Sequence, residues 1–261
     1  MLKKITQFAG EISRQAGALL LSGFRSDTTE VSYKSRTNLV TNMDRASEEL
    51  LFKAVADKYP DHSIIAEEGS RKDTLGNFIW YIDPLDATNN YAHGIPVFCV
   101  SIGVYSKELA RVVAGVIYDP VHDELFSAVS GEGAVLNGAP VSVSSTDDIG
   151  ISVLATGFPY EKENPDKNNL KQFSAVLPSV QGMRRMGSAA IDLAYVACGR
   201  IDGYWEPELQ PWDMAAGAVI VEEAGGTVTA YNGRVFDPEI AEIIATNGKI
   251  HIPLIDILSS L

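Results

Sequence analysis

Short apolar runs of β-forming residues alternate in this chain with segments of helical periodicity, and this alternation constrains the fold more than any other feature. Eight runs have the composition of strands: residues 63–66, 78–82, 97–104, 112–117, 151–156, 204–205, 227–230 and 243–245. Their continuous Val, Ile, Tyr and Trp content is typical of strands inside a sheet. Because helices separate groups of strands, the sequence predicts a mixed α/β (α+β) protein with layered sheets.

Helical periodicity fills the intervals between these runs. Apolar residues recur at helical spacing from residue 5 to residue 20, while Glu11 and Arg14 interrupt the stretch. This pattern predicts an amphipathic helix packed on a core rather than a targeting segment. Cap and stop residues predict further helices. These begin at Asp44, at residue 168, at Ser188, at Asp213 and at residue 252, and end near residues 59, 177, 199, 223 and 261.

A small, polar and acidic stretch at residues 142–150 indicates a boundary near residue 145. We expect an N-terminal α+β subdomain over residues 1–145 and a C-terminal α/β subdomain over residues 146–261. The 261 residues are 46% hydrophobic, which is enough for a full core. Most of the acidic motifs described below fall in the first subdomain.

The net charge restricts the kinds of partner that the chain can bind, and the cysteine content indicates the compartment. The chain has 21 Lys and Arg against 34 Asp and Glu, a net charge of −13. This balance argues against binding to nucleic acid or to a membrane surface, both of which need basic patches. An anionic small molecule stays possible, since bound cations reverse the local charge of an acidic site. The two cysteines, Cys99 and Cys198, form no disulfide framework, so we expect a reducing cytoplasm.

The segment richest in chemistry follows the run at residues 78–82. Asp83 and Asp86 lie three residues apart, with Pro84 fixing the backbone between them. Two carboxylates this close repel each other unless a positive group lies between them. Mg²⁺ takes oxygen ligands, commonly one or two carboxylates together with water and phosphate. Taken alone, the same four residues are also typical of an ordinary turn.

Two further acidic positions favour the metal-site interpretation. Glu67 and Glu68 follow the run at residues 63–66, at a strand edge where layered α/β folds place ligands. On their own they are equally typical of a solvated loop. Asp213 begins a helix, where a carboxylate also interacts favourably with the helix dipole. The four histidines have no zinc-site spacing; they are His62, His93, His122 and His251.

The acidic motifs occur in a fixed order along the chain. They are Glu67-Glu68, Asp83-Pro84-Leu85-Asp86-Ala87-Thr88 and Trp212-Asp213-Met214-Ala215-Ala216-Gly217. In this order and spacing they resemble the inositol monophosphatase family, the lithium-sensitive, Mg²⁺-dependent sugar-phosphate phosphatases. The resemblance covers nearly the whole chain. It implies a layered αβαβα sandwich, a homodimer, and a phosphomonoesterase that hydrolyses inositol monophosphate or a related sugar phosphate with a metal-activated water.

The resemblance also implies roles for single residues. The metal ligands would be the carboxylates of Glu67, Asp83, Asp86 and Asp213 and the backbone carbonyl of Leu85, with Asp83 bridging two ions. Thr88 would help Glu67 orient the attacking water, with Asp44 behind it. The substrate contacts would be Asp86, Ala87, Thr88, Gly187, Ser188, Ala189, Glu206 and Asp213. Glu208 is a local competitor of Glu206, and Arg184 and Arg185 either contact the substrate or form structural ion pairs.

Ala87 departs from the family pattern, which usually has glycine at this position. Glycine permits a positive φ and a close approach of backbone to phosphate. If the backbone here is left-handed, alanine costs roughly 1–2 kcal/mol. If φ is negative, the methyl group is harmless. The sequence leaves both cases open.

Two other functions stay open at this stage. Fructose-1,6-bisphosphatase activity, alone or combined with the first, is compatible with the same acidic motifs. A regulatory role is the alternative from another class, because some bacterial members of the family associate with the transcription machinery. An acidic chain could bind a basic protein surface. Four converging acids favour an enzyme, since a pure binding module does not need them.

Overall fold

The computed structural model describes residues 1–27, 29–160, 163–165 and 167–259, and these residues contain seven α-helices and fifteen strands. The helices are α1 (Leu2–Gly23), α2 (Asn42–Lys58), α3 (Thr88–Ala92), α4 (Leu170–Val176), α5 (Ala189–Ala197), α6 (Pro211–Glu223) and α7 (His251–Ser259). The strands are β1 (Val31–Tyr33), β2 (Leu39–Thr41), β3 (Ser63–Ala66), β4 (Arg71–Lys72), β5 (Phe78–Asp86), β6 (Cys99–Ser106), β7 (Arg111–Asp119), β8 (Glu124–Val129), β9 (Ala134–Leu136), β10 (Ala139–Pro140), β11 (Val153–Thr156), β12 (Gly182–Arg184), β13 (Gly203–Pro207), β14 (Thr227–Thr229) and β15 (Glu242–Thr246).

The strands form two main sheets and a short two-stranded ribbon of β1 and β2. The large sheet has the order β10-β9-β8-β7-β6-β5-β3-β4, and the small sheet has the order β12-β11-β13-β15-β14. The large sheet is antiparallel except for the pair of β3 and β5. Parallel strands end at the same edge of a sheet, so this pair brings the residues after Ala66 and Ile82 together.

Helices and sheets alternate in five layers. The first layer, α1 and α2, covers the outer face of the large sheet, where Ile5 and Leu20 pack in one core cluster with Trp80, Ile82 and Ile102. The middle layer, α5 and α6, lies between the two sheets. The last layer, α4 and α7, covers the outer face of the small sheet. The mixed αβαβα sandwich that the resemblance implied is confirmed.

Several local predictions are confirmed as well. The N-terminal helix is amphipathic, and Ile5, Ala16 and Leu20 on its inner face are fully buried. The strand at residues 63–66 has the predicted bounds. The dipeptide Asn137-Gly138, which is typical of tight hairpins in a sequence, joins β9 to β10 with both residues at positive φ. The described part of the chain contains no helix of the length and apolarity needed to cross a membrane.

Two predicted helix starts lie too far along the chain, by three residues at the cap of α2 and by two at the first residue of α6. Thr41, not Asp44, caps α2, and Asp44 returns a hydrogen bond to the Thr41 amide at 2.8 Å. In the same way Asp213 is the third residue of α6 and accepts from the amide of the cap residue Gln210 at 2.7 Å. An aspartate at this position reaches back to the cap amide, so the cap and the third residue have similar sequence signals.

Two other predicted bounds are also revised. The strand expected at residues 78–82 continues to Asp86, which places both motif aspartates inside β5. The last helix begins at His251 and is described to Ser259; the final two residues of the predicted helix lie outside the described residues. The large sheet ends at Pro140 and the small sheet begins at Val153. The subdomain boundary near residue 145 stays a prediction.

The approach of α6 to the large sheet depends on glycines in β6 and β7. A Cβ added at Gly115 would lie 2.5 Å from the Ala216 carbonyl oxygen and 2.9 Å from its Cα. We therefore expect Gly115→Ala to lower the free energy of unfolding by about 1–3 kcal/mol, because a packed helix would have to shift. Urea denaturation measures this change. Gly182→Ala in the edge strand β12 is the control, since its Cβ would meet only the end of the Arg184 side chain. An equal loss in both variants would contradict this packing.

Candidate active site

The parallel pair of β3 and β5 brings Glu67 and Asp83 to one sheet edge. Ala66 pairs with Ile82, and the Glu67 amide donates to the Ile82 carbonyl at 3.1 Å. The residue after Ala66 and the residue after Ile82 are both acids, and they lie side by side at the edge of the sheet. Glu67 is half-buried, while Asp83 is only 1% exposed. The backbone therefore places both acids at the edge of the sheet, as the sequence analysis expects of residues that follow these strands.

A β-bulge directs Asp83 and Asp86 into the same cavity. Asp83 pairs with Ser101 and Asp86 with Cys99, so β5 has one more residue than β6 between these pairs. In a regular strand, residues three apart face opposite sides, and one inserted residue removes that difference. The Leu85 amide donates to Asp83 Oδ1 at 3.0 Å, which stabilises the bulge. Both carboxylates line one cavity of about 430 Å³.

Asp86 joins the large sheet to the middle helix layer. Its Oδ2 accepts from the Ser188 hydroxyl at 2.6 Å and from the Ala190 amide at 2.9 Å, at the start of α5. The Ser188 oxygen also accepts from the Ile191 amide at 3.1 Å, so this serine is the predicted helix cap. Ser188, predicted as a substrate contact, thus holds a predicted metal ligand in place.

Ala87 has φ 75° and ψ 47°, the left-handed conformation. The sequence left the sign of φ at this position open. Because φ is positive, the alanine side chain strains the backbone here. Ala87 is also the cap residue of α3, and Thr88 is the first residue of that helix. The Thr88 side chain turns inward instead, where its hydroxyl donates to Asp44 Oδ1 at 2.7 Å and lies 3.2 Å from the Leu85 carbonyl oxygen.

Asp44 lies behind the cavity wall and orients Thr88. It is fully buried, and its Oδ2 accepts from the Thr41 amide at 2.8 Å and from the Thr41 hydroxyl at 2.5 Å. Burial raises the pKa of Asp44, and the hydrogen bonds from Thr41 and Thr88 oppose that rise. Because the hydroxyl proton of Thr88 is directed to Asp44, the oxygen lone pairs of Thr88 are left to accept from a group in the cavity.

Acidic groups dominate the electrostatics of the cavity. Burial raises the pKa of Asp83 and Asp213 well above the usual range, and the neighbouring Glu67 and Asp86 raise both further. Burial also raises the pKa of Glu67 to about 7, although Lys34 Nζ lies 3.5 Å from its Oε1. These shifts have the sign expected where one site lacks enough positive charge.

The acids fit a hard divalent cation better than a soft one. Among the described residues, no three His, Cys, Asp or Glu side chains are grouped closely enough to hold a metal ion by themselves. An ion here would need further oxygen ligands from a backbone carbonyl, water or phosphate, which is the usual coordination of Mg²⁺. The donor atoms at hand are all oxygens, the set that suits Mg²⁺, Ca²⁺ or Mn²⁺.

The cavity brings together most of the residues predicted for the site. Its lining includes Glu67, Asp83, Leu85, Asp86, Ala87, Thr88, Gly187, Ser188, Ala189, Glu206 and Asp213. Arg185 also lines it, whereas Arg184 does not and donates to the Met183 carbonyl instead. Glu206 is buried and accepts from the Tyr204 hydroxyl. Its competitor Glu208 also lines the cavity, but it is exposed and pairs with Lys167 at 3.0 Å. Burial raises the pKa of Glu206 to about 7.

Sequence reasoning missed Glu48, which shapes the turn after Glu67. Its two carboxylate oxygens accept from the Glu68 amide at 2.7 Å and the Ser70 amide at 2.9 Å. Glu48 follows Asp44 by four residues, so both acids lie on one face of α2. This four-residue spacing is the sequence signal that could have indicated a role for Glu48. Lys34 was missed too; it lines the cavity and lies 2.6 Å from Glu68 Oε1.

The left-handed backbone at Ala87 leads to a stability prediction. We expect Ala87→Gly to raise the free energy of unfolding by up to about 1 kcal/mol. Relief of roughly 1–2 kcal/mol of left-handed strain exceeds the roughly 0.4–1 kcal/mol that glycine costs through the unfolded state. Ala92→Gly at the end of α3 is the matched control and should only destabilise. Chemical denaturation measures both; a less stable Ala87→Gly protein would show that the loop does not strain the methyl group.

Comparison with known proteins places this chain in a family. Residues 1–260 match the Inositol monophosphatase family. A relative from Synechocystis sp., named inositol-1-monophosphatase, is 45% identical over 97% of this chain and 88% of its own length. A relative from Escherichia coli K12, named Nus factor SuhB, is 40% identical over 91% of this chain and 89% of its own. The solved inositol monophosphatase of Anabaena is 42% identical, covers 100% of this chain and 97% of its own, and superimposes with a TM-score of 0.90. The chain therefore belongs to the inositol monophosphatase family.

Proposed function

We propose that this protein is a Mg²⁺-dependent phosphomonoesterase that hydrolyses inositol monophosphate or a related sugar phosphate. One observation carries the proposal: acids from β5, the end of β3 and the start of α6 line a single cavity. Burial and mutual repulsion raise their pKa values, so the cavity favours cations. Membership in the family supports the same chemistry.

Glu67, Asp83, Asp86, Asp213 and the Leu85 carbonyl would hold the metal ions. Bound Mg²⁺ supplies positive charge for the phosphate oxygens and lowers the pKa of a water molecule. The chain's own part is to orient that water. Thr88 can accept a hydrogen bond from it, because the Thr88 proton is directed to Asp44. Glu67 lies beside Asp83 at the strand edge and is the second orienting group.

Other residues of the cavity lining support recognition of the polyol. Tyr204 donates to Oε2 of Glu206, which leaves Oε1 as the acceptor for a substrate hydroxyl. Gly187 has φ 88°, and its backbone lies beside Asn90 and Arg185. The exposed Arg185 at the rim favours a substrate with a second anionic group, so fructose-1,6-bisphosphatase activity is the alternative within the same reaction class. Assay with both substrate types decides between them.

A regulatory role is the second candidate function. Relatives from Escherichia coli, Pseudomonas aeruginosa and Haemophilus influenzae carry the name Nus factor SuhB at 40–44% identity. Binding of the purified chain to transcription complexes would test this role. A homodimer and a cytoplasmic location remain proposals that rest on the family resemblance and on the free cysteines Cys99 and Cys198.

The all-oxygen donor set leads to a metal prediction. We expect a chelator to abolish hydrolysis of inositol monophosphate and Mg²⁺ to restore it. Ca²⁺ should inhibit, since it prefers more ligands and looser geometry and would misplace the water. Phosphate release in EDTA, then after addition of each ion, measures this. Undiminished turnover in EDTA would refute the metal mechanism. The resemblance adds the expectation that Li⁺ inhibits.

A single substitution tests the role of α6. Asp213→Asn should lower kcat by several orders of magnitude with the fold intact, because it removes a ligand charge and keeps the shape. In EDTA its Tm should rise, since like-charge repulsion with Glu67 and Asp86 is relieved. Glu222→Gln, exposed near the other end of the same helix, is the control and should change neither quantity. Near-normal turnover of Asp213→Asn would exclude Asp213 as a ligand.

A further inference from the structure

Asp192 on α5 lines the active-site cavity, and one of its carboxylate oxygens has no partner among the described residues. The residue is 2% exposed, and its Oδ1 has no hydrogen-bond partner within the described part of the chain. Buried polar atoms in native proteins are nearly always paired, because an unpaired one keeps its full desolvation penalty. An orphaned acceptor beside a cavity therefore points to a ligand group that satisfies it.

The surroundings of Asp192 define the chemistry of that group. Burial raises the pKa of Asp192, and the nearby Glu206 and Asp86 raise it further, against the exposed Arg185. Two buried acids disfavour an anionic ligand group against them, so a second anionic group of a substrate would have to lie at the exposed Arg185 instead. A hydroxyl suits it, since it donates to a carboxylate and also accepts from a carboxyl group that holds a proton.

Asp202, a second buried aspartate, is an example of an acid with a purely structural role in this protein. Asp202 is 7% exposed, and both of its oxygens are used. Oδ1 accepts from the Ser144 hydroxyl at 2.5 Å, and Oδ2 accepts from the Val153 amide at 2.7 Å. Asp202 lies away from the cavity lining. The contrast separates an acid that stabilises the fold from one that the fold leaves unpaired.

We propose that Asp192 binds a ring hydroxyl of the substrate next to the hydroxyl held by Glu206. The inference rests on the proposed phosphatase function and extends it from the phosphate to the alcohol. Two carboxyl groups that line one cavity favour substrates with at least two ring hydroxyls. Cyclic polyol phosphates meet this requirement, and simple aryl or alkyl phosphates do not.

The test compares a polyol substrate with one that has no ring hydroxyl. For Asp192→Ala, kcat/KM with myo-inositol 1-phosphate should fall about 10- to 100-fold, the range for a hydrogen bond to a charged group. Asp192→Asn should lie between Asp192→Ala and the wild type. With p-nitrophenyl phosphate kcat/KM should stay unchanged, and inorganic phosphate should inhibit all three proteins equally.

Thermal unfolding in EDTA separates this role from a structural one. Both Asp192 variants should keep or raise Tm, because an unpaired buried acid is removed. Asp202→Asn should lower Tm and leave kcat/KM unchanged. Two outcomes would overturn the inference alone, provided that the wild-type protein hydrolyses inositol phosphate. One is an equal loss of kcat/KM with both substrates in Asp192→Ala, and the other is unchanged kinetics of this variant. A wild type that hydrolyses only p-nitrophenyl phosphate would overturn it together with the proposed substrate class.

Discussion

Repulsion between like charges is the interaction around which this structure is arranged. Acids that would stay apart in water are held around one cavity by backbone amides and hydroxyls that point at them. The Ala190 amide holds Asp86, the Gln210 amide holds Asp213, and the Leu85 amide holds Asp83. Each of these donors is fixed by a helix cap or a bulge. The fold therefore stabilises a charge arrangement that favours a bound cation.

The middle helix layer carries this arrangement from one sheet to the other. α6 lies directly on β6 and β7, where Gly103 and Gly115 leave no room for a side chain. Its first turn holds Asp213, and the cap of α5 holds Asp86. The same packing that closes the core thus sets the distance between acids of the large sheet and the acid of α6. Stability and site geometry depend on the same contacts.

The sequence predicted the acids of the site better than their geometry. The ends of β3 and β5 were visible as apolar runs followed by carboxylates. The bulge between Asp83 and Asp86 was not, because it depends on the register with Cys99 and Ser101. The cap predicted at Asp44 and the helix start predicted at Asp213 were both too late, since aspartate has similar signals at the cap and at the third helical position. Whether a polar side chain such as that of Asp192 finds a partner depends on tertiary contacts, which no local pattern contains.

The hydrogen bonds from Ser188 and Ala190 to Asp86 have a consequence for biosynthesis. A ribosome releases the strands of the large sheet long before it adds α5 and α6. Until then Asp86 lacks these two donors, and Asp213 does not yet exist. The acidic sheet edge of the emerging chain therefore precedes the residues that complete the cluster. The full set of cavity acids exists only after translation has passed Asp213 at the start of α6.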